Sequence, residues 1–285
     1  MIRTGAEETD LSPADYLLRL RTAGEGPHDI ATAALMLAAL DHPEKKLAPF
    51  FAHLAELSEA ARTEATFARD GESAARALGE VFTGRFGYDG DRSYDDADSA
   101  DLMMVIERRR GLPVALGILY MHAARAARME AQGLHAPGHF LLKIVVRGSE
   151  ALVDPFGGGA TMDRERLAPH VVLPMLPGEP GEGEVPGPYE PVSDVDVLLR
   201  LQNNIRNRAL RNRDSARAIE IGRRMAQLAP HRPPLWLELA HLHESAGALS
   251  AARSAYEHCL KACRGGDMFH HEATLALHAL RRRIN

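Results

Sequence analysis

The sequence predicts an α+β fold that is mostly α, and three observations carry this prediction. Residues 11–85 and 98–130 have the composition and apolar spacing of helices. The period changes after Gly133, where residues 140–146 and 151–153 are short runs rich in valine and other apolar residues, typical of strands. Residues 193–285 are helical again. A small antiparallel sheet inside a helical protein is therefore expected.

The N-terminal segment, residues 1–97, is predicted to be a helical packing unit without chemistry. Its first helix, over residues 11–20, opens with Ser12 and Pro13, an N-cap followed by proline in the first turn. Three further segments have apolar helical patterns: residues 30–40, 43–62 and 73–82. The loop at 84–97 is rich in aspartate, but position twelve counted from Asp89 is not glutamate, so a solvated turn is favoured over a calcium loop.

The core, residues 98–176, is predicted to begin with two helices. Asp98 is the expected N-cap of the first, which runs to Arg110 and ends at Gly111. Pro113 begins the second helix, which we expect to continue to about Glu130. Its first two turns are apolar all round, so it should lie in the middle of the domain.

A linker and a helical tail complete the chain. The linker, residues 177–192, is rich in proline, glycine and glutamate, which predicts an extended, solvated connection. In the tail, residues 193–285, four positions have the spacing of a tetratricopeptide repeat: Trp236, Ala240, Ala252 and Tyr256. Two helix pairs cannot bury their own faces fully, so the tail is expected to dock on the core or on a partner.

Several short motifs together resemble one known family. They are Phe86-Gly87-Tyr88-Asp89-Gly90, Tyr94-Asp95-Asp96-Ala97-Asp98-Ser99, Val105-Ile106-Glu107-Arg108-Arg109-Arg110-Gly111-Leu112-Pro113, Pro137-Gly138-His139-Phe140-Leu141, Asp154-Pro155-Phe156 and Leu201-Gln202-Asn203-Asn204-Ile205-Arg206-Asn207. The sequence resembles the bacterial SirB-type family over about residues 30–265. That resemblance implies a helical N-terminal region, a transglutaminase-like (papain-like) core and a tetratricopeptide-like tail.

The transglutaminase-like fold places a cysteine at the N-terminus of a central helix, a histidine on one strand and an aspartate on the next. By this resemblance His139 and Asp154 are the histidine and aspartate, and the nucleophile position falls among Pro113, Val114 and Ala115. None of these three can attack a carbonyl carbon, and residues 1–258 contain no cysteine. The resemblance therefore implies a remnant of a catalytic site in which the nucleophile position is inert.

The expected register of the hairpin and the family resemblance predict different distances between His139 and Asp154. A turn centred on Gly148 and Ser149 pairs Asp154 with Lys143, which leaves His139 about four residues, or roughly 13 Å, away along the strand. The resemblance implies contact. The sequence leaves two roles open for His139. It is either a buried histidine that is hydrogen-bonded to a carboxylate and holds two strands together, or part of a retained binding pocket.

No metal or cofactor is predicted. Cys259 and Cys263 are four residues apart near three histidines, His258, His270 and His271, which is a possible zinc site. Two cysteines packed in a repeat interface are the favoured interpretation.

Charge and hydropathy exclude two partner classes. The 285 residues carry a net charge of −5, which argues against nucleic acid and anionic membranes. The chain contains no membrane-length apolar run and no signal-peptide pattern, so it is expected to be cytoplasmic. Seven arginines in the tail favour a solvated face, with an acidic partner as the alternative: Arg206, Arg208, Arg211, Arg213, Arg217, Arg223 and Arg224.

The sequence thus favours a non-catalytic, regulatory protein that binds a protein or peptide through its C-terminal helices. The candidate binding residues are Arg110, Tyr120, Phe140, Phe156, Trp236 and Tyr256. The alternative is a hydrolase or acyl-transfer enzyme that uses His139 and Asp154 without a core cysteine. A lack of enzymatic activity is favoured, without being settled by the sequence.

Overall fold

A computed structural model describes residues 11–93, 96–136, 139–163, 189–264 and 268–284. The described residues up to Leu201 form one compact unit, and those from Gln202 onward form a second. Most of the predicted linker, Tyr94, Asp95, and the Pro137-Gly138 dipeptide lie outside the described residues. The predominance of helix with small sheets confirms the predicted α+β, mostly α fold class.

Six α-helices of the first unit follow the apolar patterns in the sequence. They are α1 (Pro13–Thr22), α2 (Ile30–Ala39), α3 (Ala48–Glu64), α4 (Gly71–Gly79), α5 (Leu102–Arg108) and α6 (Pro113–Ala126). The Ser12 side chain caps α1 as predicted. The N-cap of α5 is Asp101, whose carboxylate accepts from the Met104 N–H, so the prediction of Asp98 was wrong. Asp98 instead pairs with Arg108.

Helix α6 lies in the centre of its unit, as its apolar first turns indicate. Residues Val114, Leu116 and Tyr120 are at most 2% exposed, and the helix packs against α2, α3 and the sheet. The helix ends at Ala126, before the predicted end at Glu130. The difference arises because Glu130 begins a strand whose residues have little intrinsic β-propensity and which depends on pairing with a neighbour.

The sheets are small. A two-stranded parallel pair joins β1 (Asp89–Gly90) to β2 (Arg110–Gly111). An antiparallel sheet contains, in spatial order, β3 (Glu130–Ala136), β4 (His139–Val146), β5 (Ser149–Asp154) and β6 (Ala160–Met162). The sequence predicted β4 and β5 but not β3 or β6.

The turn between β4 and β5 differs from the expected one. Val146 pairs with Ser149, which leaves Arg147 and Gly148 as a two-residue turn with φ angles of 51° and 81°. Positive φ at both positions is the type I′ geometry, whose twist matches that of a hairpin. The predicted register, with Asp154 opposite Lys143, was therefore wrong, since Lys143 pairs with Leu152.

The tail consists of long helices. They are α7 (Asp194–Arg211), α8 (Ser215–Leu228), α9 (Pro233–Ser245), α10 (Leu249–Ala262) and α11 (Met268–Ile284). Helices α9 and α10 pack closely along their length. Three of the four repeat positions, Ala240, Ala252 and Tyr256, are buried completely between helices of the second unit. The Tyr256 hydroxyl donates to Glu244 at 2.9 Å, so the ring is held by packing and its hydroxyl by a hydrogen bond.

The arginines of the tail do not form one solvated face. Arg206, Arg208 and Arg224 are at most 5% exposed, so that interpretation was wrong for these three. Arg206 pairs with Glu238 and donates to Asn203 at 2.7 Å. A buried guanidinium needs such partners because desolvation of the charge is costly.

In the described part of the chain, no helix is long and apolar enough to cross a membrane.

Candidate functional site

The structure brings His139 and Asp154 together at the end of the β4–β5 hairpin. Nε2 of His139 lies 3.2 Å from Oδ2 of Asp154. Extending the observed register by one pair places Asp154 opposite Leu141, which makes His139 a diagonal neighbour on the same face. Diagonal neighbours are about 7–8 Å apart and within reach of long side chains. The corrected turn thus accounts for the contact that the resemblance implies.

The Asp154 carboxylate is fixed by the loop that follows β5. Its second oxygen accepts from the Phe156 N–H at 2.9 Å, and the Gly157 N–H is also a donor. Burial by itself raises the pKa of Asp154. The hydrogen bond and charge of His139, together with the two backbone donors, outweigh burial and hold this pKa below its ordinary value. The carboxylate is therefore ionised and oriented toward the imidazole.

The His139 side chain is partly exposed to solvent. The side chain of His139 is 34% exposed, whereas that of Asp154 is 15% exposed. With the carboxylate at Nε2, Nδ1 is the ring nitrogen for which the described residues show no hydrogen-bond partner. This arrangement can orient an imidazole, which is the supporting half of a nucleophile–base–carboxylate triad.

Tyr120 of α6 lies in the interior near Asp154. Its ring stacks on Phe82 with centroids 3.9 Å apart, and its hydroxyl bonds with Thr83 and lies beside Gly159. Burial raises the pKa of Tyr120 above its ordinary value, and the negative charge of Asp154 acts in the same direction. Tyr120 is 1% exposed, so it is a neutral donor in the interior.

The motifs on which the family resemblance depends converge around this region. The β1–β2 pairing joins the Phe86–Gly90 motif to the one that contains Arg110. A Cβ atom at Gly90 would lie 2.7 Å from the ring of Phe156, so glycine is required for Phe156 to pack there. The three motifs are thus parts of one packed arrangement.

The predicted nucleophile position contains only apolar residues. Pro113 is partly exposed and begins α6, while Val114 and Ala115 are buried. Both thiols lie in the second unit, Cys259 buried within α10 and Cys263 at its end. Neither belongs to the unit that contains His139.

The remaining predicted binding residues are mostly interior. Phe140 is 1% exposed and its ring covers Gly117, while Arg200 lies over the other part of that ring and donates to the His139 carbonyl at 2.7 Å. Arg110 is exposed on β2. Trp236 stacks on His258 and donates to a backbone carbonyl, and Tyr256 is buried.

Sequence analysis missed a second polar cluster, formed by His53, Tyr88 and Arg109. The Tyr88 hydroxyl lies 2.8 Å from Nε2 of His53 and from a guanidinium nitrogen of Arg109, which also contacts the His53 ring. Burial, followed by the charge of Arg109, lowers the pKa of His53 to about 4. Burial also raises the pKa of Tyr88 to about 12.

A signal for this cluster existed in the sequence. Tyr88 and Arg109 both belong to the motifs of the family resemblance, although His53 lies in a helix that was interpreted as packing alone.

Among the described residues, no group of three or more His, Cys, Asp or Glu side chains is arranged to hold a metal ion.

Comparison with known proteins identifies the family of the first unit. A profile of the transglutaminase-like superfamily matches residues 48–203, more than half of the chain. The chain belongs to the transglutaminase-like superfamily. A tetratricopeptide-repeat profile matches residues 205–284 of this transglutaminase-like protein. Both the predicted core and the predicted repeat tail are therefore confirmed as classes of domain.

Curated relatives of this transglutaminase-like protein carry no activity in their names. It is 29% identical over 172 residues to a UPF0162 protein of Xylella fastidiosa strain 9a5c, an alignment that covers 60% of this chain and 61% of that protein. A UPF0162 protein of Vibrio cholerae serotype O1 is 28% identical over 155 residues, with 54% and 55% covered. The chain thus spans less than two thirds of each relative. No solved structure matches it significantly.

Proposed function

We propose that the protein is a non-catalytic transglutaminase-like protein that binds a protein or peptide partner and has a regulatory role. The observation that carries the proposal is the start of α6, where the fold places its cysteine and this chain has Pro113, Val114 and Ala115. A proline nitrogen within the peptide chain and two aliphatic side chains cannot form a covalent acyl intermediate. The start of α6 therefore offers no side chain that the His139 base could activate as a nucleophile.

The pair has a structural role in this interpretation. It connects the beginning of β4 to the end of β5, and Arg200 binds the same strand through the His139 carbonyl. A partly buried charge-assisted hydrogen bond of this kind stabilises a fold by about 1.5–3 kcal/mol. That contribution is a sufficient reason for the pair without catalysis.

The C-terminal helices support a role in binding. Tetratricopeptide repeats stack helices into surfaces that bind other proteins. Helix α11 exposes Met268 and Leu275, at 53% and 57%. These residues are seven positions apart and so lie on one side of the helix. An exposed apolar pair on α11 favours a protein partner there.

Catalysis provides the test of the proposal. The purified chain, incubated with activated esters and with glutamine-containing peptides plus a primary amine, is expected to show turnover no faster than an equal concentration of free imidazole. His139→Ala should behave in the same way, and so should the double variant Cys259→Ser/Cys263→Ser. Turnover that His139→Ala abolishes contradicts the proposal, because it requires a working base.

One observation favours a second candidate, a hydrolase that uses the pair with a bound water. The His139 ring is about one-third exposed and is aligned by an ionised carboxylate, as a general base requires. Such an enzyme would lose activity in both His139→Ala and Asp154→Asn. The first candidate requires that both variants leave the background rate unchanged.

The narrower assignment to the SirB-type family and a cytoplasmic location belong to the same proposal. The converging motifs around Gly90, Arg110 and Asp154 support the family assignment. The predicted division into residues 1–97, 98–176, 177–192 and 193–285 is also retained as a proposal.

A further inference from the structure

A groove of about 680 Å³ lies in the first unit, away from His139. It is bordered by the end of α3, the end of α6, the start of β3 and the β4–β5 turn. Val145 and Val146 line it, at the end of β4 opposite to His139. Six residues of strand separate His139 from Val145, which corresponds to roughly 20 Å. The groove is therefore distinct from the candidate site.

Three arginines line this groove, although the net charge of the whole chain is negative. Arg62, Arg128 and Arg147 are all exposed, whereas Glu130 is the acidic lining residue. Arg62 pairs with exposed Glu59 at 2.9 Å, a surface contact of small energy. Within the described residues, no ion pair or side-chain hydrogen bond is found for Arg128 or Arg147. A local excess of positive charge on a chain of net charge −5 is complementary to an anion.

Two of these arginines occupy backbone positions that favour glycine. Arg128 follows α6 with φ of 62°, and Arg147 is the first residue of the β4–β5 turn with φ of 51°. An L-residue with a Cβ atom is strained in the left-handed region, so glycine is the usual occupant of both positions. The partial negative charge at the C-terminal end of α6 favours a cation at Arg128, whereas Arg147 lies in a hairpin turn, where no helix end acts on it. Stability alone therefore does not explain an arginine at both places.

The rim of the groove also carries an exposed aromatic ring. The 3-10 turn Ala65–Phe67 follows α3, its first two residues line the groove, and Phe67 is 86% exposed. Arginine and aromatic residues are enriched at the centres of protein interfaces, where they supply much of the binding energy. Phe67 lies in sequence between two lining residues, Thr66 and Ala68. An exposed phenylalanine at this rim favours a peptide over a small anion, because an anion alone makes no use of the ring.

We propose that this groove binds an acidic segment of a partner protein, with carboxylates at Arg128 and Arg147 and an apolar side chain at Phe67. The site is independent of the function proposed above for the C-terminal helices. Its ligand is recognised by bidentate guanidinium–carboxylate hydrogen bonds, which suit Arg better than Lys.

The experiment is a selection of displayed random peptides, each about twelve residues long, on the full-length chain. Enriched peptides are then measured by fluorescence anisotropy on the wild-type chain and on the double variant Arg128→Gly/Arg147→Gly. We expect peptides with net negative charge and at least one apolar residue, whose affinity falls at least about tenfold in the double variant and in Phe67→Ser. Both glycine substitutions should leave the melting temperature unchanged or raise it, since they relieve backbone strain.

A matched control is available in the tail. Arg213 has φ of 59° after α7 and repeats the hydrogen-bond pattern of Arg128, since its N–H bonds to the carbonyl three residues earlier. Arg213→Gly should have the same effect on stability and none on peptide affinity. The proposal is overturned if enriched peptides are not acidic, if they bind the double variant equally, or if no peptide is enriched. Equal competition by inorganic phosphate or citrate at matched charge also overturns it, because the groove would then recognise any small anion.

Discussion

Asp154 shows how a single carboxylate can remain ionised although it is mostly buried. Burial favours its neutral form, but His139 and two backbone N–H groups favour the charged form more strongly. Its pKa in the folded chain is therefore lower than in the unfolded chain. Such a group stabilises the fold above its unfolded pKa of about 3.9, and this stabilisation is lost as the pH falls through the lower folded value.

Asp154→Asn removes this contribution while keeping an oxygen for the Phe156 N–H. We expect the free energy of unfolding to fall by about 1–2 kcal/mol at pH 6, and the difference from wild type to shrink below about pH 4. Urea unfolding at several pH values measures this. Glu72→Gln, on an exposed residue of α4, is the control and should change stability by less than about 0.5 kcal/mol. A pH-independent difference would show that charge is not the cause.

His53 gives the opposite case, a buried base that is held neutral. Its pKa of about 4 lies below the unfolded value of about 6.5, so the unfolded chain binds more protons between these two values. Stability from this residue is complete above about pH 6.5 and is lost as the pH falls toward 4. Tyr88, Arg109 and Glu56 are the polar or charged groups that contact the ring.

His53→Gln should therefore make stability less sensitive to acid. Between pH 7 and pH 5 we expect wild type to lose about 2 kcal/mol more than the variant, from the difference between the two pKa values. Thermal unfolding followed by circular dichroism at both pH values tests this. The exposed His278→Gln is the matched control and should follow wild type. Parallel losses in wild type and in His53→Gln would contradict the assignment of a neutral buried histidine.

Helix α6 approaches strand β4 closely at Gly117. A Cβ atom at Gly117 would lie 2.2 Å from the ring of Phe140, so the ring occupies the space that a larger residue would need. Glycine in the middle of a helix normally costs about 1 kcal/mol relative to alanine. Here its small size permits the helix to approach the strand that begins with His139, so packing outweighs helix propensity.

Gly117→Ala is expected to destabilise the chain by about 1–3 kcal/mol, because Phe140 has to move out of a packed interior. Gly222→Ala in α8 is the comparison, since its Cβ atom would meet leucine side chains at an ordinary 3.4–3.5 Å. That variant should be neutral or stabilise the chain by up to about 1 kcal/mol. Chemical denaturation of both variants measures the two effects. Equal changes in the two variants would show that helix propensity alone is responsible.

At the scale of the whole molecule, the unfolding of the second unit can be followed by itself, because both cysteines belong to it. Cys259 is completely buried, and Cys263 is partly buried at the end of α10. In the variant Cys263→Ser, the one thiol left should react with Ellman's reagent at least about a hundredfold more slowly than in the unfolded chain. Stopped-flow absorbance in increasing urea measures this. A rate close to that of the unfolded chain would contradict the packing of α10 described above.

The elements could be predicted to different extents. Residues 30–39 and 113–126 are apolar enough that the sequence indicates a buried helix without knowledge of neighbours. Strand β3 could not be predicted, because its residues have low β-propensity and it exists through pairing with β4. The register of β4 and β5 was missed by two residues because it depends on the φ angles of Arg147 and Gly148.

The candidate site divides in the same way. The sequence by itself determined that the first unit contains no thiol and that α6 begins with Pro113, because covalent chemistry depends on which atoms are present. Only the tertiary structure decided that His139 reaches Asp154, that His53 contacts Tyr88 and Arg109, and that three distant arginines border one groove. Distances between residues far apart in sequence depend on turn geometry and packing, which local composition does not specify.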